Sequence, residues 1–311
     1  MAMPGPLLTV IMIIGDVRER AQRALRSVLS QDIAEQIVVL IYDRADTPAD
    51  FPELSAPNVT YEWVGKNTTL GVLQKRAVQT ATTDIIAFLE EHTVAPPEWA
   101  RESLRLHSLG NTGIAGFFLS GNSNHYWARV AFEVTYGDYV LSRKMGETFS
   151  IPGDNSTFVR SKILRYQDDL ELFFNTDILL IRRLLADGEK LYRGNFGVYH
   201  YNESKMSGAW WALCYWSQMY ICNQVVMEGW SFIRRLLRLC AVPLVPFVRT
   251  YYNFKMAKLN AVNMKQFVAD LPAAFLMNSG SAAGIAAGLL FGLQQSEYRF
   301  ADCETCAERL D

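Results

Sequence analysis

Apolar segments typical of buried strands alternate with amphipathic segments in the first third of the chain, and this alternation limits the possible folds most strongly. Residues 7–14, 36–42 and 84–89 are nearly continuous apolar runs, as in strands buried on both faces, and residues 60–64 form a weaker one. Residues 16–29 and 70–80 have the spacing of helices. The pattern predicts an α/β fold with a mostly parallel sheet flanked by helices.

Polar residues follow two of the predicted strands. Asp43 comes after the second strand, and Glu90, Glu91 and His92 come directly after the strand at 84–89. Ligands of such sheets bind at the carboxyl ends of the strands. Glu90 and His92 can face one cation from a turn, and a carboxylate with an imidazole suits Mn²⁺ or Zn²⁺ better than Mg²⁺ or Ca²⁺. The sequence therefore predicts a cation site here.

His200 is the candidate third ligand of this site. It lies in GVYHYNES, after another segment with strand character. The alternative is a core histidine between Tyr199 and Tyr201, and the sequence leaves both open.

Charge and motifs exclude several classes of protein. The formal net charge of −2 over 311 residues gives no basic field for nucleic acid. No glycine-rich phosphate loop follows the first strand. Cys303 and Cys306 form a single CxxC, and a zinc site of that kind needs a second pair, which the sequence lacks. A zinc hydrolase would need a fuller ligand set than the sequence offers. The N-terminus lacks the pattern of a signal peptide, so we expect a cytosolic protein.

The C-terminal part differs in composition. Residues 210–232 are rich in aromatic side chains, all charged residues between Arg234 and Lys265 are basic, and residues 271–296 carry no charge. A spanning helix, an interfacial pair including residues 236–248, and a buried soluble helix all fit, and membrane contact is favoured over burial. We predict a catalytic domain at 1–205, membrane-associating amphipathic and hydrophobic helices at 206–296, and a polar tail at 297–311.

Four segments resemble one family in their order and spacing. FLEEHTVAPPEW looks like the nucleotide-sugar-binding half of family 2 inverting glycosyltransferases, which have the GT-A fold. PGDNS looks like the acceptor-side loop of that family, and NTDILLIRRLLADGEKLY and YHYNES resemble the later segments that carry its catalytic base and a metal-binding histidine. In that family the metal-binding triplet is usually Asp-x-Asp, whereas this chain has Glu90-x-His92. The resemblance implies a divalent cation, Mn²⁺ or Mg²⁺, and a nucleotide-diphosphate sugar as the donor substrate.

The resemblance also implies roles for individual residues. Glu90, His92 and His200 would hold the cation, and Asp43 would contact the base or ribose of the nucleotide. Lys75 and Arg76 occupy the position of a basic residue near the nucleotide, with a solvated helix face as the alternative. Glu91 would turn toward the ribose or toward a structural partner.

Asp177 lies at the position of the family's catalytic base, which takes the proton of the attacking acceptor hydroxyl. Its neighbours Glu171, Asp168 and Asp169 are the fallback candidates. Alternatively, Asp177 only complements the dipole in the first turn of its helix.

These features predict an inverting glycosyltransferase at the cytoplasmic face of the membrane. Its acceptor would be a lipid-linked sugar or a polysaccharide, and membrane lipids would be partners, with no role for nucleic acid. A second hypothesis is a non-catalytic protein that binds a nucleotide sugar or is a scaffold in a membrane glycan assembly system.

Overall fold

A computed structural model of the protein describes residues 5–140, 144–260 and 262–306, and its internal contacts divide the chain into two units. The first unit comprises Met1–Leu119 and Lys144–His200. The second comprises Ser120–Arg143 and Tyr201–Asp311. Of the described residues, 120–140 therefore group with the C-terminal helices, whereas the sequence predicts a boundary at 205/206.

The first unit contains the strands and the shorter helices. Its strands are β1 (Leu8–Ile14), β2 (Ile37–Asp43), β3 (Val59–Trp63), β4 (Ile85–Phe88), β5 (Thr93–Val94), β6 (Gly113–Ser120), β7 (Gly146–Thr148), β8 (Ser156–Val159) and β9 (Leu191–His200). Its helices are α1 (Arg18–Leu29), α2 (Leu70–Thr80), α3 (Trp99–His107), α5 (Arg160–Leu164), α6 (Leu170–Asn175) and α7 (Asp177–Ala186). Short 3₁₀ turns at Ala34–Gln36 and Pro52–Ser55 precede β2 and β3.

The strands form one mixed sheet in the order β3-β2-β1-β4-β8-β6-β9-β5, with β7 also paired to β9. The β3-β2-β1-β4 part is parallel, as the strand–helix alternation predicts. Strand β8 pairs antiparallel with β4 and β6, and β9 pairs antiparallel with β5 and β7. The predicted α/β class is confirmed, and the parallel character is confined to one half of the sheet.

The core of the first unit lies around β1, β2 and β4. Val10, Met12 and Val39 are fully buried, as expected of strands covered on both faces. Helix α1 buries Ala21, Leu25 and other residues of its apolar face, and one of its four arginines, Arg20, is buried with them.

The second unit is helical. It consists of α4 (Tyr126–Tyr136), α8 (Met206–Met227), α9 (Phe232–Ala241), α10 (Val245–Leu259), α11 (Met264–Phe291) and α12 (Ser296–Cys306), with a 3₁₀ turn at Val242–Leu244. Helix α11 packs closely on α8, because a Cβ on Gly284 would lie 1.9 Å from the Cys214 carbonyl oxygen. Val130 and Val134 of α4 join Ala274 and Met277 of α11 in one apolar cluster.

Helix α11 alone, among the described residues, is long and apolar enough to cross a membrane. Its most apolar window has a mean hydropathy of 1.4, and 44% of that window is buried within the protein. Length and composition of this kind also occur in core helices of soluble proteins.

Candidate functional site

The Glu90–His92 triplet forms the turn between β4 and β5. The Thr93 amide donates to the Glu90 carbonyl oxygen at 3.0 Å and closes this turn. Because β5 pairs antiparallel with β9, Thr93 lies opposite His200 in the sheet. The pairing thus brings His200 to the triplet from 108 residues away.

The three predicted ligands converge on one point. His92 Nε2 lies 3.1 Å from His200 Nε2, and the imidazole planes are perpendicular. Glu90 Oε2 lies 3.2 Å from His200 Nε2 and 3.5 Å from His92 Nε2. Both histidine side chains are buried, whereas that of Glu90 is 18% exposed. The cluster therefore has a single accessible side, formed by the carboxylate.

This arrangement fits a divalent cation. One donor atom from each of Glu90, His92 and His200 lies within 4.8 Å of the others. Atoms that share an ion at about 2.1 Å are themselves roughly 3.0–3.5 Å apart, which is the range seen between these donors. Two imidazoles and one carboxylate suit Mn²⁺ and Zn²⁺, and three protein donors leave coordination positions open for a substrate.

Asn155 fixes the position of Glu90. Its Oδ1 accepts from the Glu90 amide at 3.0 Å, and its Nδ2 donates to Glu90 Oε2. The Asn155 backbone is in the left-handed region with φ of 56°. Asparagine tolerates this conformation better than most residues, so one position supplies both the turn and the amide.

The same loop holds Asp177. The Gly153 amide donates to Asp177 Oδ2 at 2.7 Å, and the neighbouring Asp154 accepts from Gln74 of α2 at 3.0 Å. A Cβ on Gly153 would lie 2.1 Å from the Asp177 Cβ, so the close approach requires glycine. Residues 152–156 thereby link the predicted base to the predicted cation ligand Glu90.

Burial raises the pKa of the Asp177 carboxyl, and the negative charge of Glu90 raises it further. Hydrogen bonds from the Gly153 and Ile178 amides oppose this change by stabilising the carboxylate. A carboxyl whose pKa lies above its usual range is a stronger base when ionised, as a proton acceptor needs.

The Glu91 carboxylate makes its hydrogen bonds outside this cluster, with Arg20 and Gly15. Its Oε1 accepts from Arg20 Nε at 3.0 Å and also from the Arg20 terminal nitrogen, and its Oε2 accepts from the Gly15 amide at 2.8 Å. Arg20 and Glu91 are 3% and 2% exposed. These contacts favour the structural partner, one of the two alternatives for Glu91.

Asp43 is fully buried at the end of β2, and four donors surround its carboxylate. Oδ1 accepts from Arg18 at 2.8 Å and the Ala45 amide at 3.0 Å, whereas Oδ2 accepts from Tyr61 at 2.7 Å and the Ala49 amide at 3.0 Å. Asp43 therefore organises the loop that follows β2. A direct contact with a nucleotide would require one of these donors to be displaced.

Lys75 and Arg76 lie on α2. Lys75 is half-buried, whereas Arg76 donates to Glu62 of β3 at 2.8 Å and lies over the Tyr42 ring. Of the fallback residues for the base, Asp168 and Asp169 are exposed near the start of α6, and Glu171 is half-buried in its first turn.

The resemblance indicated the PGDNS segment as an acceptor-side loop but gave no individual role to Gly153 or Asn155, and the sequence did not identify Arg20 as part of the site. The PGDNS segment contained the only local signal, because Gly, Asp and Asn together favour a turn with unusual backbone angles. Arg20 looked like one of several arginines on an amphipathic helix.

Comparison with known proteins adds an independent observation. Residues 9–166 match a sequence model of the family described as Glycosyl transferase family 2. No curated protein matches the chain. Among solved structures, the crystal structure of S. aureus TarS 1-349 is 9% identical, with a TM-score of 0.47, and the match covers 89% of this chain and 90% of that chain.

Proposed function

This chain belongs to glycosyl transferase family 2, and on that premise we propose that it transfers a sugar, with inversion, from a nucleotide-diphosphate sugar to a lipid-linked or polysaccharide acceptor. The protein is a glycosyltransferase with a GT-A fold. The main support for the proposed chemistry is that Glu90, His92 and His200 lie together and that the loop at residues 152–156 contacts both Glu90 and Asp177.

In this proposal Glu90, His92 and His200 hold a divalent cation, Mn²⁺ or Mg²⁺, at the carboxyl edge of the sheet. Such an ion supplies positive charge against the negative charge that develops on the leaving nucleoside diphosphate. The two imidazoles favour Mn²⁺ of these two ions, because Mg²⁺ prefers oxygen ligands.

Asp177 acts as the base. Inversion requires the acceptor oxygen to attack the anomeric carbon on the face opposite the leaving group, while a carboxylate takes the hydroxyl proton. The Gly153 amide holds one oxygen of Asp177, and the other oxygen is the proton acceptor in this scheme. Gly153 thus orients the base without neutralising it.

Of the residues predicted to bind the nucleotide, Lys75 is proposed to contact it directly and the others to act through the residues that they already contact. Lys75 is half-buried on α2, and in the proposed complex its ammonium group would contact a phosphate or the ribose. Asp43 and Arg76 would act through the loop and strands that they already contact, and Glu91 through Arg20 and the Gly15 amide.

The acceptor and the cytoplasmic membrane face are proposed from the C-terminal helices. Helix α9 is exposed along nearly its whole length and combines apolar with basic side chains. A membrane-associated enzyme of this kind would act on a lipid-linked sugar or on a polysaccharide made at the membrane.

Two measurements test this function. A thermal-shift screen of nucleotide diphosphates and their sugars, with and without Mn²⁺ and Mg²⁺, should show a cation-dependent rise in Tm for one nucleotide base. Asp177→Asn should then lower the transfer rate by about two to four orders of magnitude and keep that Tm rise. Equal responses to every base without any cation would contradict the proposed site.

A further inference from the structure

We propose that α9 and the outward face of α10 form a docking surface for an anionic lipid bilayer, with α9 lying in the membrane interface. The proposal rests on the membrane association in the proposed function and assigns it to one surface. It also decides between the interfacial and spanning alternatives in favour of the interface.

Helix α9 separates its apolar and basic residues on opposite sides. At 100° per residue, Phe232, Ile233, Leu236 and Leu237 fall on one arc, and Arg234, Arg235 and Arg238 fall on the other. The four apolar side chains are 78%, 68%, 47% and 66% exposed. Leu239, at the edge of the apolar arc, packs partly against the rest of the second unit.

A second apolar stripe follows on the next turn and helix. Leu244, Phe247, Val248 and Tyr251 recur at helical spacing, and each is at least 61% exposed. Single exposed apolar residues are ordinary, whereas a continuous series of large ones marks an interaction surface. Together with the apolar arc of α9, this stripe forms the surface proposed to enter the bilayer.

The basic residues of this surface indicate which kind of bilayer it would bind. Arg235 and Arg238 have no carboxylate within ion-pair distance among the residues that the structure describes, whereas Arg234 pairs with Glu228 at 2.6 Å and stacks on Trp230. All charged residues from Arg234 to Lys265 are basic. Exposed arginines beside exposed apolar side chains match phospholipid head groups above acyl chains, and anionic lipids complement them best.

Helix α11 has a different role. Its Asp270 pairs with Arg129 of α4 at 3.0 Å, and its Asn278 donates to Asn253 of α10 at 2.9 Å. Gly280 and Gly284 allow close contact with the α8 backbone. These contacts pack α11 against α4, α8 and α10 of the second unit, so the protein itself covers 44% of its most apolar window.

Vesicle co-sedimentation of the full chain tests the surface. The protein should pellet with vesicles of phosphatidylcholine containing roughly one-quarter phosphatidylglycerol, and less with phosphatidylcholine alone or at high salt. Leu236→Glu with Leu237→Glu should weaken this binding by at least about tenfold, because both charges would enter the bilayer. Arg235→Gln with Arg238→Gln should remove most of the preference for the anionic lipid.

Leu109→Glu is the matched control, because Leu109 and Leu237 are both 66% exposed, and it should leave vesicle binding unchanged. Three results would overturn the proposal: wild-type protein that stays in the supernatant, glutamate variants that bind as well as wild type, or a concentration-dependent dimer that these variants abolish. Retention in membranes after alkaline extraction would also overturn it, in favour of a spanning α11.

The same variants separate this surface from the proposed function. A variant that loses vesicle binding but keeps the Tm rise with the donor shows that the surface acts in membrane binding and not in donor binding. Vesicle binding without any response to nucleotide sugars would leave the surface intact and contradict the proposed donor site.

Discussion

Asn155 and Glu90 hold each other through two hydrogen bonds, although 65 residues separate them in the sequence. The Asn155 amide group accepts from the Glu90 backbone and donates to the Glu90 carboxylate. One side chain therefore sets both the turn after β4 and the direction of a proposed cation ligand. Asp177 is attached to the same loop through Gly153, so the loop connects both parts of the proposed chemistry.

Removing the Asn155 amide should weaken cation binding. Asn155→Gly keeps a residue that accepts the φ of 56° and deletes both hydrogen bonds to Glu90. We expect the Kd for Mn²⁺, measured by calorimetry on the purified chain, to rise by about 10- to 100-fold. Asn155→Ala removes the same bonds and adds backbone strain of about 1 kcal/mol, so a further fall in Tm is expected for alanine alone. Unchanged Mn²⁺ affinity in both variants would contradict the role given to Asn155.

A methyl group at Gly153 should displace Asp177. The Cβ of Gly153→Ala would lie 2.1 Å from the Asp177 Cβ, a distance that neither backbone tolerates without movement. We expect transfer activity to fall by at least about a hundredfold, since displacement of a catalytic group by roughly 1 Å has effects of this size. Gly5→Ala is the control, because a Cβ there meets nothing within 4 Å. Full activity of the Gly153 variant would show that Asp177 is not the base.

The buried pair of Glu91 and Arg20 should contribute to stability rather than to donor binding. Glu91→Gln leaves the Arg20 charge buried without its counterion, so the free energy of unfolding should fall by about 3 kcal/mol. Urea denaturation measures this loss, and the exposed pair Arg105 and Glu102 offers a control in Glu102→Gln, where the change should stay below about 1 kcal/mol. A large loss of nucleotide affinity at unchanged stability would instead support the contact with ribose.

The sequence predicted the strands and helices of the first unit well because their signals are local. The helix predicted at 70–80 is found at Leu70–Thr80, and the strand predicted at 84–89 is found at Ile85–Phe88. Helix α4 was not predicted, since residues 120–150 are aromatic and polar and its buried face is only Ala128, Val130, Ala131 and Val134. This helix is stabilised by packing against α11, which the periodicity of its own sequence does not indicate.

The site was predictable only where residues follow a strand directly. Glu90 and His92 do so, and His200 could be proposed from its strand-like surroundings. The partners Asn155 and Arg20 depend on contacts across 65 and 71 residues, for which one sequence holds no local signal. The antiparallel half of the sheet was missed for the same reason, because pairing of β8 and β9 is decided by contacts distant in sequence.

Glu133 should make the stability of the protein depend on pH. It lines a cavity of about 260 Å³ in the second unit, together with Phe132, Ala257 and seven other residues. Burial raises the pKa of Glu133 to about 7, nearby Asp270 adds to this, and Arg129 opposes it. The folded protein therefore binds more protons than the unfolded chain between the ordinary pKa of 4.5 and about 7.

The contribution of Glu133 to the free energy of unfolding is therefore fully present below pH 4.5 and is lost as the pH rises through about 7. Glu133→Gln stays neutral, so it should be more stable than wild type at about pH 8, by about 1–2 kcal/mol, and nearly equal to it at about pH 4. Thermal denaturation of both proteins across this range measures the difference, with Glu147→Gln, which removes an exposed carboxyl, as the charge-matched control. A Tm difference that stays constant with pH would contradict the raised pKa, because a group that does not titrate differently in the two states cannot change the slope.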